Sequence, residues 1–235
     1  DLLTGSVTKT EHIAQKIVSV VHHIDFPKGS VPNCCIFANN LLITGSSDGL
    51  VEVWDSGKLD LSLQYQARGN FIVHPSSISC MGIDVENKFF VCGDVKGDIR
   101  VWNVVSGNCI KEFKAAHAEA ITAICFSESD SSQIISASVG GSIRKFGINS
   151  GLLLKEYCPT SSGYVTDFAV LGNWDLVAAF SDGKVTVFSC MTGSIIADFQ
   201  PSAGDDGPEQ LQSVTGVSVV KSTISEEEYL LICTK

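Results

Sequence analysis

Four times in this chain a tight turn opens a short alternating strand that an aromatic residue closes. The first copy is Asp48-Gly49-Leu50-Val51-Glu52-Val53-Trp54. The others are Lys96-Gly97-Asp98-Ile99-Arg100-Val101-Trp102, Gly140-Gly141-Ser142-Ile143-Arg144-Lys145-Phe146 and Asp182-Gly183-Lys184-Val185-Thr186-Val187-Phe188. Gly and Asp at the turn tolerate the left-handed backbone that a two-residue hairpin requires. The closing aromatics stand 48, 44 and 42 residues apart. Repetition at that interval means one supersecondary unit used again and again, with a core that forms between neighbouring units.

Each interval has room for four short strands bounded by Gly, Asn, Asp or Ser. Such units match the blades of a WD40 propeller. The expected fold is therefore all-β, a WD40-type β-propeller of about four and a half blades, part of a seven-bladed ring. A ring removes exposed strand edges, and a unit that stops within a blade leaves it open. Residues 1–30 read as a lead-in whose end pairs with the first blade. Residues 31–235 read as the propeller, with blades over 31–66, 78–114, 120–157, 164–199 and an incomplete one over 212–235.

In a strongly patterned WD40 blade a His, a Ser or Thr, an Asp and a Trp join in one buried hydrogen-bond network. Counting back ten residues from each closing aromatic gives Thr44, Cys92, Ser136 and Ala178. Counting back six gives Asp48, Lys96, Gly140 and Asp182. Ala116-His117 is the one Gly-His-like pair. No blade is expected to hold a complete network. Thr44, Asp48, Trp54, Trp102, Ser136, Phe146, Asp182 and Phe188 are the expected structural residues, with Trp54 and Trp102 buried between strands. His117 is read as a fold histidine or as a surface contact.

Charge and motifs exclude several functions. The net charge of −10 argues against duplex nucleic acid, which is bound by neutralising phosphates. No apolar run reaches the roughly 18 residues of a membrane span. The nine cysteines show no C-x-x-C spacing and lie mostly in apolar strand patterns, which suits reduced, mostly buried thiols. Their odd number and the lack of a glycosylation sequon favour a reducing, intracellular compartment. Gly45-Ser46-Ser47-Asp48-Gly49 fits G-x-S-x-G, yet a nucleophile elbow needs a helix after it and here a strand follows. No P-loop, H-E-x-x-H or EF-hand loop is present. No cofactor, metal or catalytic residue is expected, and a propeller hydrolase is the remote alternative.

Tyr65-Gln66-Ala67-Arg68-Gly69-Asn70-Phe71-Ile72-Val73-His74-Pro75 joins blades one and two and is longer than the matching 114–120 connection. It is read as a solvated loop or as a partner-binding loop. Loops 64–77, 114–120, 157–163 and 200–211 share one face with the Asp-Gly turns. That face collects Tyr65, Arg68, Phe71, His74, His117, Tyr157 and Tyr164, with Asp205-Asp206. Aromatics and Arg dominate binding hot spots. Tyr65, Arg68, Phe71, His74, His117 and Tyr164 are the candidate partner-binding residues.

Several of these stretches resemble the Smu family of WD-repeat splicing factors (suppressor of mec and unc). The similar residues are Gly45-Ser46, Asp48-Gly49, Glu52-Val53-Trp54, Gly57-Lys58 and Tyr65-Gln66-Ala67 with Asn70-Phe71. Asp130-Ser131-Ser132-Gln133-Ile134, Ser136-Ala137-Ser138 and Leu154-Lys155-Glu156 are similar too. The chain departs from the pattern at Gly140, where Asp is expected, and at Val31, where the fold His is expected. The resemblance implies a nuclear, non-enzymatic scaffold of the precatalytic spliceosome that works with a RED-like splicing factor. It also implies an N-terminal helical region, used for dimerisation, and further C-terminal blades outside this sequence. A WD40 substrate receptor of a ubiquitin ligase is the alternative.

Overall fold

The computed structural model describes residues 29–55, 61–64, 74–127, 131–171, 175–200, 213–221 and 228–234. Most of the lead-in, most of the 64–77 loop and the 200–211 loop lie outside them. Blade one comprises β1 (Pro32–Ala38), β2 (Leu41–Ser46), β3 (Val51–Asp55) and β4 (Leu61–Gln64). Blade two comprises β5 (Ile78–Ile83), β6 (Phe89–Asp94), β7 (Ile99–Asn103) and β8 (Cys109–Phe113). Blade three comprises β9 (Ile121–Phe126), β10 (Gln133–Ser138), β11 (Ile143–Gly147) and β12 (Leu153–Tyr157). Blade four comprises β13 (Val165–Val170), β14 (Asp175–Phe180), β15 (Val185–Ser189) and β16 (Ile195–Phe199). Each is an antiparallel sheet in sequence order, and β17 (Val214–Lys221) with β18 (Glu228–Thr234) forms a two-stranded fifth.

The core lies between blades. Ile43 and Val53 of blade one meet Ile78, Phe90 and Trp102 of blade two. Val91, Val101 and Phe113 of blade two meet Ile121, Ile134 and Phe146 of blade three. Ile135 and Tyr157 of blade three meet Val165, Leu176 and Phe188 of blade four. Each closing aromatic from Trp102 onward thus turns toward the preceding blade. Fully burying one aliphatic or aromatic side chain stabilises by about 1.5–3 kcal/mol, so these seams carry most of the folding energy.

At the hub the inner strands are stitched together. β1, β5, β9, β13 and β17 each skip one residue in their register with the second strand: Asn33, Ser79, Thr122, Thr166 and Thr215. A bulge re-aims the side chain it carries. Here three bulged residues donate to the first residue of the next inner strand. Asn33 Nδ2 reaches the Ile78 carbonyl at 2.9 Å, Ser79 Oγ the Ile121 carbonyl at 2.6 Å and Thr166 Oγ1 the Val214 carbonyl at 2.9 Å. Thr122 Oγ1 is buried without a hydrogen-bond partner.

Three expectations are corrected. All nine thiols are free, but only Cys92 and Cys190 are buried; Cys34, Cys80 and Cys125 are half-buried, and Cys35, Cys109, Cys158 and Cys233 are exposed. Cys109 and Cys158 lie at the ends of outer strands, where the seam no longer covers them. Tyr157 does not join the loop face. It is 2% exposed, with its ring edge-on to Phe188 at 5.6 Å between centroids. The histidines are corrected below.

The stitch yields a comparison. Ser79→Ala and Thr166→Ala each lose a bond worth about 1 kcal/mol and leave a carbonyl short of a donor. Thr122→Val, which removes a hydroxyl that bonds to nothing, is expected to be neutral or stabilising. Urea unfolding of the three variants measures this, and equal destabilisation by all three would refute the stitch.

Candidate functional site

The loop face is built on the hairpin turns between second and third strands. The connections that enter blades two and three lie on the turns of the blades before them. A Cβ on Gly49 (φ +83) would sit 2.2 Å from the His74 carbonyl oxygen, and one on Gly97 (φ +86) 2.1 Å from that of His117. Both positions therefore demand glycine twice over, for the left-handed φ and for the close approach. His117 N also donates to the Gly97 carbonyl, and Ala115 N to Asp98 Oδ1 at 2.7 Å. These contacts press both histidine side chains inward.

Both are candidate partner-binding residues, and that reading is corrected for both; of the two readings of His117, the fold histidine is the one observed. His74 and His117 are 2% and 1% exposed and offer no surface. His74 Nδ1 lies 3.3 Å from Asp94 Oδ2. Asp94 also accepts the Lys96 and Asp98 amides at 2.9 Å each. Burial alone pushes the Asp94 carboxyl up, but the bonds from His74 and from these amides outweigh it and hold it well below the usual carboxylate range. The carboxylate of blade two is thus two residues earlier than the turn position occupied by Lys96.

Blade three solves the same problem without an acid. His117 Nε2 bonds Ser136 Oγ at 2.8 Å and its Nδ1 bonds Ser142 Oγ at 2.7 Å. Ser142 Oγ also lies 3.0 Å from Ser138 Oγ. Phe146 stands edge-on to the imidazole at 6.3 Å. Burial, then the nearby Arg144 charge, lower the His117 pKa to about 4. The imidazole is neutral at pH 7, one nitrogen donating and the other accepting.

Blade one has no histidine. Trp54 Nε1 donates to Thr44 Oγ1 at 3.0 Å, and Asp48 Oδ1 accepts the Leu50 amide at 3.2 Å. Ser47, the G-x-S-x-G serine, accepts the Val31 amide on its Oγ at 3.1 Å. Blade four has Ala178 at the hydroxyl position. There Asp182 Oδ2 takes Ser161 Oγ at 2.7 Å and the Gly163 amide at 3.3 Å. Burial raises Asp182, and these bonds more than reverse it, leaving the carboxyl below its ordinary range. Trp54, Trp102, Phe146 and Phe188 are all buried. Among the described residues no blade holds the complete four-member network.

A second pairing recurs between third and fourth strands, and its sequence signal went unread. Two residues before the aromatic stand Arg100, Arg144 and Thr186, opposite Glu112, Glu156 and Asp198. Arg100 Nε donates to Glu112 Oε1 at 3.0 Å, Arg144 Nε to Glu156 Oε1 at 3.0 Å and Thr186 Oγ1 to Asp198 Oδ1 at 3.0 Å. Arg144 Nη1 also donates to the Ala116 carbonyl at 2.9 Å, which fixes the loop carrying His117. In blade one the third-strand position holds an acid, Glu52, opposite Gln64. Glu52 is buried there, with Oε2 lacking a hydrogen-bond partner, and burial followed by the Asp48 charge raises its pKa.

Of the remaining candidates, Tyr164 is 42% exposed, and Tyr65, Arg68 and Phe71 lie outside the described residues. Among the described residues no cluster of three His, Cys, Asp or Glu side chains is placed to hold a metal ion.

A family model described as the Vps8 beta-propeller matches residues 6–161, well over half of the chain. The chain belongs to that family of β-propellers. It is a WD40-repeat propeller. The WD40 repeat-containing protein smu1 of Dictyostelium discoideum is 31% identical over 124 residues, which is 50% of this chain and 23% of that protein. The COMPASS component SWD3 of Saccharomyces cerevisiae is 25% identical over 168 residues, 68% of this chain and 50% of that protein. THO complex subunit 6 of Arabidopsis thaliana is 24% identical over 165 residues, 69% of this chain and 41% of that protein. The chain spans between about a quarter and half of the length of these relatives. None of the three is named as an enzyme.

His117 gives stability a pH dependence. Its folded pKa lies below its ordinary value of 6.5, so its contribution is full above pH 6.5 and is lost as pH falls toward 4. The loss is at most about 3 kcal/mol. Urea melts at several pH values are expected to show this slope in the wild type and its disappearance in His117→Gln. An unchanged slope in the variant refutes the assignment.

Cys92 gives a second test. Cys92 faces Arg100 across its ladder as Ser136 faces Arg144. Ser136 bonds His117 Nε2, whereas His74 Nε2 is buried without a hydrogen-bond partner. Cys92→Ser is expected to stabilise by about 1 kcal/mol by supplying that partner. The gain should vanish in a His74→Ala background, and a gain that persists there would point to another cause.

Proposed function

We propose that this propeller is a non-enzymatic scaffold of the spliceosome, acting in the nucleus by presenting its loops to proteins, a RED-like splicing factor among them. The observation that carries the reading is the 31% identity to a smu1 protein, together with the resemblance of Tyr65–Phe71 and Asp130–Ser138 to the Smu family. Burial of both histidines supports a scaffold role, because the polar groups of the loop face are used up in holding the blades. Tyr164 and the long 64–77 loop remain for partners. We place docking on that face, with Tyr65, Arg68, Phe71 and Tyr164 as contacts. The acidic balance suits a protein partner rather than direct binding of duplex nucleic acid.

Affinity purification of the full-length protein from nuclear extract tests this. Recovery of spliceosomal proteins is the expected result, and recovery of ubiquitin-ligase subunits in their place overturns it. Paired substitution of Arg68→Ala with Phe71→Ala is expected to weaken recovery by about tenfold. A control pair, Glu86→Ala with Lys88→Ala, should leave it unchanged. The reverse pattern in folded protein assigns docking to the other face.

A further inference from the structure

The outer strands repeat a pattern of their own. β4, β8, β12 and β16 each break register beside the closing aromatic, and the residues passed over are Ser62, Ile110, Leu154 and Ile196. In blades two, three and four the bulge carries a branched aliphatic side chain, exposed at 46%, 48% and 55%. Soluble proteins more often guard an outer edge with charge. One apolar residue at the same bulge in three consecutive blades makes a row along the rim.

Lysines join the row. Lys111 of blade two reaches the turn of blade three, its Nζ 2.5 Å from where a Cβ on Gly151 would stand. Lys155 of blade three reaches the turn of blade four, where its Nζ donates to the Met191 carbonyl at 3.2 Å. Lys145 stands directly across from Lys155. Like charges so placed repel unless an anion intervenes. Among the described residues none of these three lysines pairs with a carboxylate. The outer-strand acids Glu112, Glu156 and Asp198 are engaged with Arg100, Arg144 and Lys184. Segments 103–111, 147–155 and 189–197 contain no acidic residue, although the chain carries a net charge of −10. Between blades two and three the strip opens into a cavity of about 280 Å³ walled by Phe89, Val101, Ile110 and Ile148.

We propose that this strip is a second docking surface, and that its occupant is an acidic amphipathic helix of a partner protein. The lysines, which no carboxylate among the described residues neutralises, attract acidic groups, and the row of aliphatics with its cavity suits apolar anchors. A helix supplies both, one along its face and the other along its flanks. An added β-strand fits poorly, because the bulges interrupt the ladder on which it would pair. A second copy of the chain would bring the lysines against lysines.

The test is fluorescence anisotropy of the full-length protein with a labelled helical peptide of about 18 residues, Leu on one face and Glu on the rest. The same peptide with Lys in place of Glu is the comparison. The Glu peptide is expected to bind at least about tenfold more tightly than the Lys peptide, and less tightly as salt rises. Its affinity should fall at least about tenfold in the triple variant Ile110→Ser, Leu154→Ser, Ile196→Ser, whose side chains are half exposed. Leu154→Ser alone, should the triple variant unfold, is expected to show a smaller loss in the same direction. Equal binding of the two peptides, no binding of either, or undiminished binding by folded variants overturns the proposal. So does sedimentation showing that the wild type pairs with itself through the strip. Arg68→Ala with Phe71→Ala should leave the peptide affinity unchanged, so failure here is separate from failure of the loop-face reading.

Discussion

The arrangement of blades depends on the stitch at the hub, in which a bulged side chain of one inner strand donates to the first carbonyl of the next. Strand ladders hold each sheet together but do nothing to orient one sheet against another. The apolar seams bind sheets, yet hydrophobic burial has no direction of its own. A hydrogen bond is directional, so Asn33, Ser79 and Thr166 set the angle at which neighbouring seams close. Between blades three and four Thr122 makes no such bond, and the seam there relies on the large buried rings of Tyr157, Phe180 and Phe188.

The loop face follows from that frame. Each blade has to satisfy the polar groups of its hairpin turn, and the four blades do so with four different sets of side chains. Asp48 on the Leu50 amide serves blade one, beside a Trp54–Thr44 bond between its strands; a His–Asp pair serves blade two, a His held between serines blade three, and an Asp held by Ser161 and the Gly163 amide blade four. A buried polar network stabilises when its members are paired. The fold tolerates the substitutions because the geometry asks only for donor and acceptor in reach, whatever side chain supplies them.

The repeat of turn and aromatic made the fold legible, because glycine and a closing ring leave few alternatives for the chain around them. The site was less legible. Counting back from Trp102 pointed to Lys96, whereas the working carboxylate is Asp94, and spacing alone cannot show a turn whose polar role has moved by two residues. His74 and His117 lie in connections that read as surface, and only the close approach of their backbones to Gly49 and Gly97 shows that the side chains turn inward. The Arg100–Glu112 and Arg144–Glu156 pairs stand at matching positions of the repeat and could have been found by comparing third with fourth strands. The outer bulges could not, since one extra residue in a five-residue strand leaves no mark on its alternation.

The direction of the stitch has a consequence for how the protein is made. In all three links the donor belongs to the earlier blade and the acceptor to the later one. During synthesis, Asn33 leaves the ribosome well ahead of Ile78, and Ser79 well ahead of Ile121. Blades one, two and four therefore each present a donor to the inner strand that emerges next, while blade three offers blade four only its apolar seam.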